Sequence, residues 1–224
     1  MKKRIFLSAL IICLTFMALP LQASAQSIRA DNSGDIARYF TIYELEAQAE
    51  LYSITVEELI NINELLSSAI AEYNVMQMSR MYDPHAPTTI QISDNLYAVF
   101  EVTYVIEPAL ARSLWRITWT PTLELRNIFG MTVVTLRSTG VFETNFSTQI
   151  RAIDAFGGHS GAVWSITHGT PAMSTTNGFS AWVRNSFSGS FSIGIDPISL
   201  QIQSFTYNNT IDATANGTLT STWR

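Results

Sequence analysis

The chain has 224 residues, 47% hydrophobic and 14% charged, with 13 basic and 18 acidic side chains and a single cysteine. That apolar fraction excludes intrinsic disorder, and a formal net charge of −5 leaves no overall basic footprint for nucleic acid. One Cys excludes a disulfide framework and a cysteine-built zinc site.

The first segment reads as an export signal. Met1-Lys2-Lys3-Arg4 is a positive n-region, and Ile5 to Leu19 is apolar apart from Ser8 and Thr15. Ala23-Ser24-Ala25 then puts small residues where a signal peptidase reads. This predicts a signal peptide over residues 1–25, cleavage before Gln26 and no membrane anchor afterwards. Cys13 follows Leu10-Ile11-Ile12 and lacks the small residue that lipidation needs. The expected product is a secreted, extracellular protein with a net charge of −8, every basic residue an Arg.

Residues 26–82 read as an acidic helical segment. Phe40, Tyr43, Ala47 and Leu51 suggest a first helix ending near Ser53. Thr55-Val56-Glu57-Glu58 has capping-box spacing, a hydroxyl followed three residues later by a carboxylate. Beyond it Val56, Leu59, Ile60, Leu66, Ile70 and Tyr73 recur at helical spacing, widened by Ile62, Leu65, Ala69 and Met76. Glu57, Glu58, Glu64 and Glu72 are expected on the opposite, solvated side. The broad stripe predicts a helical hairpin that packs onto the sheet domain downstream.

Asp83-Pro84-His85-Ala86-Pro87 breaks the helix and marks a linker over 83–87, where His85 is expected in solvent. From Thr88 the period becomes two. Leu96, Ala98, Phe100, Val102, Tyr104 and Ile106 alternate along one strand, and Trp115, Ile117 and Trp119 along the next. Trp115 and Trp119 are expected in the core. Phe187, Phe191, Ile193 and Ile195 stand against Ser186, Ser188, Ser190 and Ser192, an apolar face backed by hydroxyls. Asn127 to Gly130, Gly157-Gly158, Asn177-Gly178, Asp196-Pro197 and Asn216-Gly217 read as turns. The fold class expected is mainly β: an antiparallel β-sandwich over 88–224, preceded by an N-terminal α-helical hairpin. Charge divides at the same boundary, a net of −10 over residues 26–107 against +2 over 108–224.

No catalytic set emerges. His85, His159 and His168 show no metal-ligand spacing, so no metal and no cofactor is expected. Asp154, His159, Ser160 and His168 are the one chemically mixed cluster. Neighbouring His159 and Ser160 point to opposite faces of a strand, however, and no Gly-x-Ser-x-Gly elbow is present. Glu101, Glu107, Glu124 and Glu143 fall on strands and are the carboxylates a glycosidase would draw on. Trp182 has the parity of an outward aromatic. The binding residues read from sequence are therefore Trp182, Asp154, His159 and His168.

Asn127 to Val133 and Asn216 to Trp223 resemble strand–turn patterns of uncharacterised secreted β-sandwich proteins of Gram-positive bacteria, over about residues 112–224. The resemblance implies a secreted sandwich and no catalytic residues. Ala49 to Asn63 is similar to the helix-turn-helix core of LysM peptidoglycan-binding modules, although no Gly-Asp-Thr turn precedes it and the helical pattern continues to Tyr73. The expectation is a non-enzymatic binding or envelope-associated protein whose partner is a cell-envelope glycan or another protein. A secreted hydrolase of glycan or ester bonds is the alternative.

Overall fold

The computed structural model describes residues 33–78, 86–110, 113–161, 164–193 and 200–224. The expected export signal with its expected cleavage before Gln26, His85 with the start of the linker, and the expected Asp196-Pro197 turn lie outside the described residues. Arg38–Arg224 forms one compact unit, the larger of the two into which the chain divides. The sheets and their cores belong to the larger unit.

The chain is mainly β, two antiparallel sheets preceded by helices α1 (Ser33–Leu51) and α2 (Val56–Gln77). Sheet A holds β1 (Thr88–Gln91), β2 (Leu96–Pro108), β3 (Trp115–Asn127), β4 (Thr132–Thr144) and β5 (Ile150–Gly161), in chain order. Sheet B runs β10 (Leu219–Trp223), β9 (Leu200–Thr214), β8 (Ser180–Ile193), β6 (Trp164–His168), with β7 (Ala172–Thr176) also on β8. Each sheet turns one face inward, as the alternation demands. Where β5 meets the β7–β8 turn a corner closes: Ile150 N donates to Gly178 O at 2.7 Å and Ala152 N to Thr175 Oγ1 at 3.1 Å.

Along one side β4 and β5 lie against β8, while α2 lies against β1, β2, β9 and β10 on the other. Leu59, Ile62, Leu66, Ile70 and Tyr73 of α2 share a core with Leu96, Ala98 and Phe100 of sheet A and with Phe187, Phe205, Tyr207 and Trp223 of sheet B. Tyr73 stacks on Phe100 with ring centroids 3.9 Å apart. The helix thus fills the wedge between the sheets. A second core, Trp119, Phe142 and Ile150 against Ala181, Val183, Ile211 and Ala213, joins the sheets directly.

Between the two cores runs a polar layer of Ser138, Asn185 and Asn209, each with no exposed surface. Asn185 Nδ2 donates to Ser138 Oγ at 2.7 Å and to the Thr139 carbonyl at 3.4 Å. Those two contacts fix the amide's orientation, leaving Asn185 Oδ1 facing His168 Nε2 at 3.1 Å, which must then be the donor.

The helix cap forms as its spacing predicts: Glu58 N donates to Thr55 Oγ1 at 3.1 Å and Thr55 N to Glu58 Oε2 at 2.7 Å. Glu58 departs from expectation by being buried rather than solvated. Ser93 Oγ donates to its Oε1 at 2.5 Å and Asn95 Nδ2 to its Oε2 at 3.1 Å, so the β1–β2 turn encloses the carboxylate. Burial raises its pKa, but the hydrogen bonds from Ser93, Thr55 and Asn95 outweigh that and hold it down at about 2.

Other expectations are corrected as well. In α1 the buried line is Leu45 and Ala49, continued by Tyr52, while Tyr43 and Leu51 are exposed. In α2, Ile60 and Met76 are exposed, because the wedge admits a narrower stripe than the sequence offers. Trp119 is core as expected, yet Trp115 is 44% exposed along with Tyr104 and Ile106, inward by parity at the distal end of β2 and β3. Gly157-Gly158 is no turn but the middle of β5, where the His168 ring occupies the place a Cβ on Gly157 would take, 2.3 Å away.

Candidate functional site

The four residues read from sequence do not meet. Asp154 is exposed opposite Val141, on the outer face of sheet A, where its Oδ1 accepts from Ala155 N at 2.8 Å beside a bulge in β5. His159 pairs with Leu136 and has inward parity, yet is exposed near the end of the strand. His168, on sheet B, lies between the sheets, bound to Asn185 and resting on Gly157. Trp182 is half-buried on the outer face of sheet B, with the Arg184 guanidinium 5.5 Å over its ring. Ser160 faces outward opposite Thr135. The Ser–base–carboxylate chain of a nucleophilic hydrolase is not assembled from these residues. Nor do the described residues contain a group of three His, Cys, Asp or Glu able to hold a metal ion.

The outer face of sheet B is a hydroxyl lattice. Ser165 lies opposite Ser190 and Ser190 opposite Ser204; Thr167 lies opposite Ser188 and Ser188 opposite Thr206. It offers uniform polarity, with no contrast of charge or aromatic surface across these rows.

Sheet A's outer face is different, because its strands cross it in rows of unlike chemistry. One row runs Glu107, Arg116, Glu143, Arg151 across β2 to β5, each residue opposite the next. Its charges satisfy one another: Arg116 Nη2 reaches Glu143 Oε1 at 3.3 Å and Arg151 Nε donates to Glu143 Oε2 at 2.9 Å. The Arg151 hydrogen bond, helped by Arg116 and against the effect of burial, lowers the Glu143 pKa. Two rows along, Thr103 pairs with Thr120, the Thr120 hydroxyl lies 3.2 Å from that of Thr139, and Thr139 pairs with Phe156. The adjacent row is Glu101, Thr122, Arg137, Gly158.

These last two rows form an open groove of about 410 Å³, walled by Phe156 and Arg137 on one side and Glu101 and Glu124 on the other, over a floor of threonines. The volume falls within the range of small-ligand clefts. Thr139 and Thr122 on the floor are buried although they lie on an outer face. Glu124 is engaged by Arg126. Glu101 and Arg137 have no ion-pair or hydrogen-bond partner among the described residues. Chemically the groove presents hydroxyls to accept and donate, one half-exposed aromatic face and one charge of each sign.

Sequence reading placed Glu101 and Glu124 on strands but passed over Thr122, Arg137 and Phe156. The run Thr118-Trp119-Thr120-Pro121-Thr122 carries a threonine every second position, which signals a hydroxyl face. What aligns Arg137 and Glu101 with it is the pairing register of the β2–β3 and β3–β4 hairpins, which the alternation within one strand does not show.

No family model, curated protein or solved structure matches this chain.

Proposed function

We propose that the chain is exported and acts, without catalysing a reaction, as a binding protein of the cell envelope that holds a polar glycan in the groove of sheet A. The carrying observation is the groove itself: an aromatic beside threonine hydroxyls and two unpaired opposite charges, concave and open to solvent. A sugar ring has an apolar face that stacks on an aromatic and a rim of hydroxyls that hydrogen-bond to neutral and charged side chains. Phe156 is 49% exposed and so has a ring face to offer, whereas Trp182 already lies under Arg184. The basic leader and Ala-x-Ala site support export.

Retention of the mature protein on purified cell-wall glycan tests the proposal. Phe156→Ala is expected to weaken it about tenfold, the loss of roughly 1.4 kcal/mol of stacking. Trp182→Ala, on the other sheet, is the contrasting variant and leaves retention unchanged. Equal loss in both variants, or no retention of the wild type, would refute the groove as the binding site. N-terminal sequencing of protein from culture supernatant tests export, with Gln26 the expected first residue and an intact Met1 the contrary result.

A further inference from the structure

Glu101 and Arg137 both lie opposite Thr122, one from each side. Strands are about 4.8 Å apart, so the two Cα atoms are about 10 Å apart with a single threonine between them. Elsewhere on this face charges in adjacent strands neutralise one another, as in the Glu107 to Arg151 row. Here Thr122 interposes, and no ion pair joins Glu101 to Arg137. Thr122 is only 8% exposed, and its hydroxyl has no hydrogen-bond partner among the described residues. Its oxygen stays open to the groove and is free to donate to and accept from a ligand. On the far side of Arg137 stands Gly158, where an added Cβ would meet only the Arg137 Cβ, 3.9 Å away.

We infer that the groove takes a zwitterionic ligand unit, a free ammonium against Glu101 and a carboxylate against Arg137, with the Thr122 hydroxyl bonded between them; this rests on the reading of the groove as a binding site. A ligand with one charge would leave the other wall charge unanswered. An arginine fork matches a carboxylate bidentately, and a glutamate accepts from an ammonium. An amino acid carries both groups. It can come free in solution or as a substituent on a wall glycan, and the second source suits a cavity of 410 Å³, which has space for a sugar ring beside the amino-acid unit.

The test is calorimetric titration of the mature protein and its Glu101→Gln and Arg137→Gln variants. The probes are free alanine, propionate, ethylamine, and solubilised wall glycan with and without its amino-acid substituents. Both variants are expected to lose about tenfold in affinity for the substituted glycan, and removing the substituents is expected to cost the wild type at least as much. Competition by free alanine would identify the amino acid as sufficient; competition confined to the substituted glycan would identify the attached unit. A glycan that binds equally with and without substituents would overturn the zwitterion inference while leaving the groove a glycan site. So would Glu101→Gln binding more tightly while Arg137→Gln fails, which marks a simple anion. Absence of binding to every glycan preparation would instead refute the proposed function. Both substitutions are at the groove wall, and unchanged melting temperatures confirm that affinity alone is read. Should either variant unfold, propionate and ethylamine matching alanine as competitors on the wild type would overturn the inference equally.

Discussion

Gly157 shows how one missing methyl group organises the interior. Its bare backbone receives the His168 ring, whose Cδ2 and Nε2 atoms would lie 2.3 Å from a Cβ there, and that ring in turn donates to Asn185. Gly157→Ala must therefore displace the imidazole and break the bond to a buried amide, at a cost of about 1–3 kcal/mol. In a His168→Ala background the obstruction is gone, and the same glycine change is expected to cost less than about 0.5 kcal/mol. Denaturant melts of the four proteins measure the coupling; additive effects would show that ring and glycine are independent. Glu58 gives a second expectation at this scale. Its carboxyl sits at about 2 in the fold against an ordinary 4.5. A depressed folded value means the carboxylate stabilises fully above the unfolded pKa and loses that contribution as pH falls from about 4.5 towards 2. The contribution is on the order of 2 kcal/mol. Thermal melts from pH 6 to pH 2 should fall more steeply for the wild type than for Glu58→Gln; parallel curves would contradict the assignment.

Among the elements, α2 is built as part of the interior of both sheets. Burying Leu59, Leu66, Ile70 and Tyr73 contributes about 1.5–3 kcal/mol each, beyond what exposed ion pairs supply. Cleaving the chain between residues 82 and 88 and separating the pieces is expected to leave 88–224 with a sharply lower melting temperature. A fragment that kept the full value would show the sheets independent of the helix. This element was legible in sequence because a capping box and a 3.6-residue stripe are local signals. Its burial of Glu58 was not, since Ser93 and Asn95 reach it from a different turn. Strands β2, β3 and β8 were likewise legible from period two. The strand through Gly157 was hidden because two glycines punctuate turns far more often than they cushion a ring. Trp115 misled for another reason: parity gives the face a side chain points to, and says nothing of whether an opposing sheet extends that far.

At the scale of the whole molecule the two sheets divide their labour. Sheet B carries rows of hydroxyls at one end of its outer face and Trp182 under Arg184 at the other, while sheet A carries its charges in ordered rows, paired at one end and unpaired in the groove. The groove was the least legible feature, since its walls come from Glu101, Arg137 and Phe156, on three strands brought into line only by register. The separation of charge between the two halves of the chain gave no hint of it, because the row that matters draws Glu101 from one half and Arg137 from the other.

The helix between the sheets also sets a clock. Its Asn74 Nδ2 donates to the carbonyl of Trp223 at 2.6 Å, and Asn63 accepts from the Tyr207 hydroxyl at 2.5 Å. These partners stand 149 and 144 residues further along the chain, and so leave the ribosome long after the helix does. Sheet A is a meander of neighbouring hairpins and can pair as it arrives, but the apolar stripe of α2 has half its cover missing until β9 and β10 arrive. The chain therefore passes through synthesis with a sticky helix in search of a lid, the interval in which a chaperone is of use and aggregation competes. Pulsed hydrogen exchange during refolding would record it: sheet A amides protected early, those of α2 late and in step with β10. Protection of α2 ahead of β10 would mean the helix finds shelter without that strand.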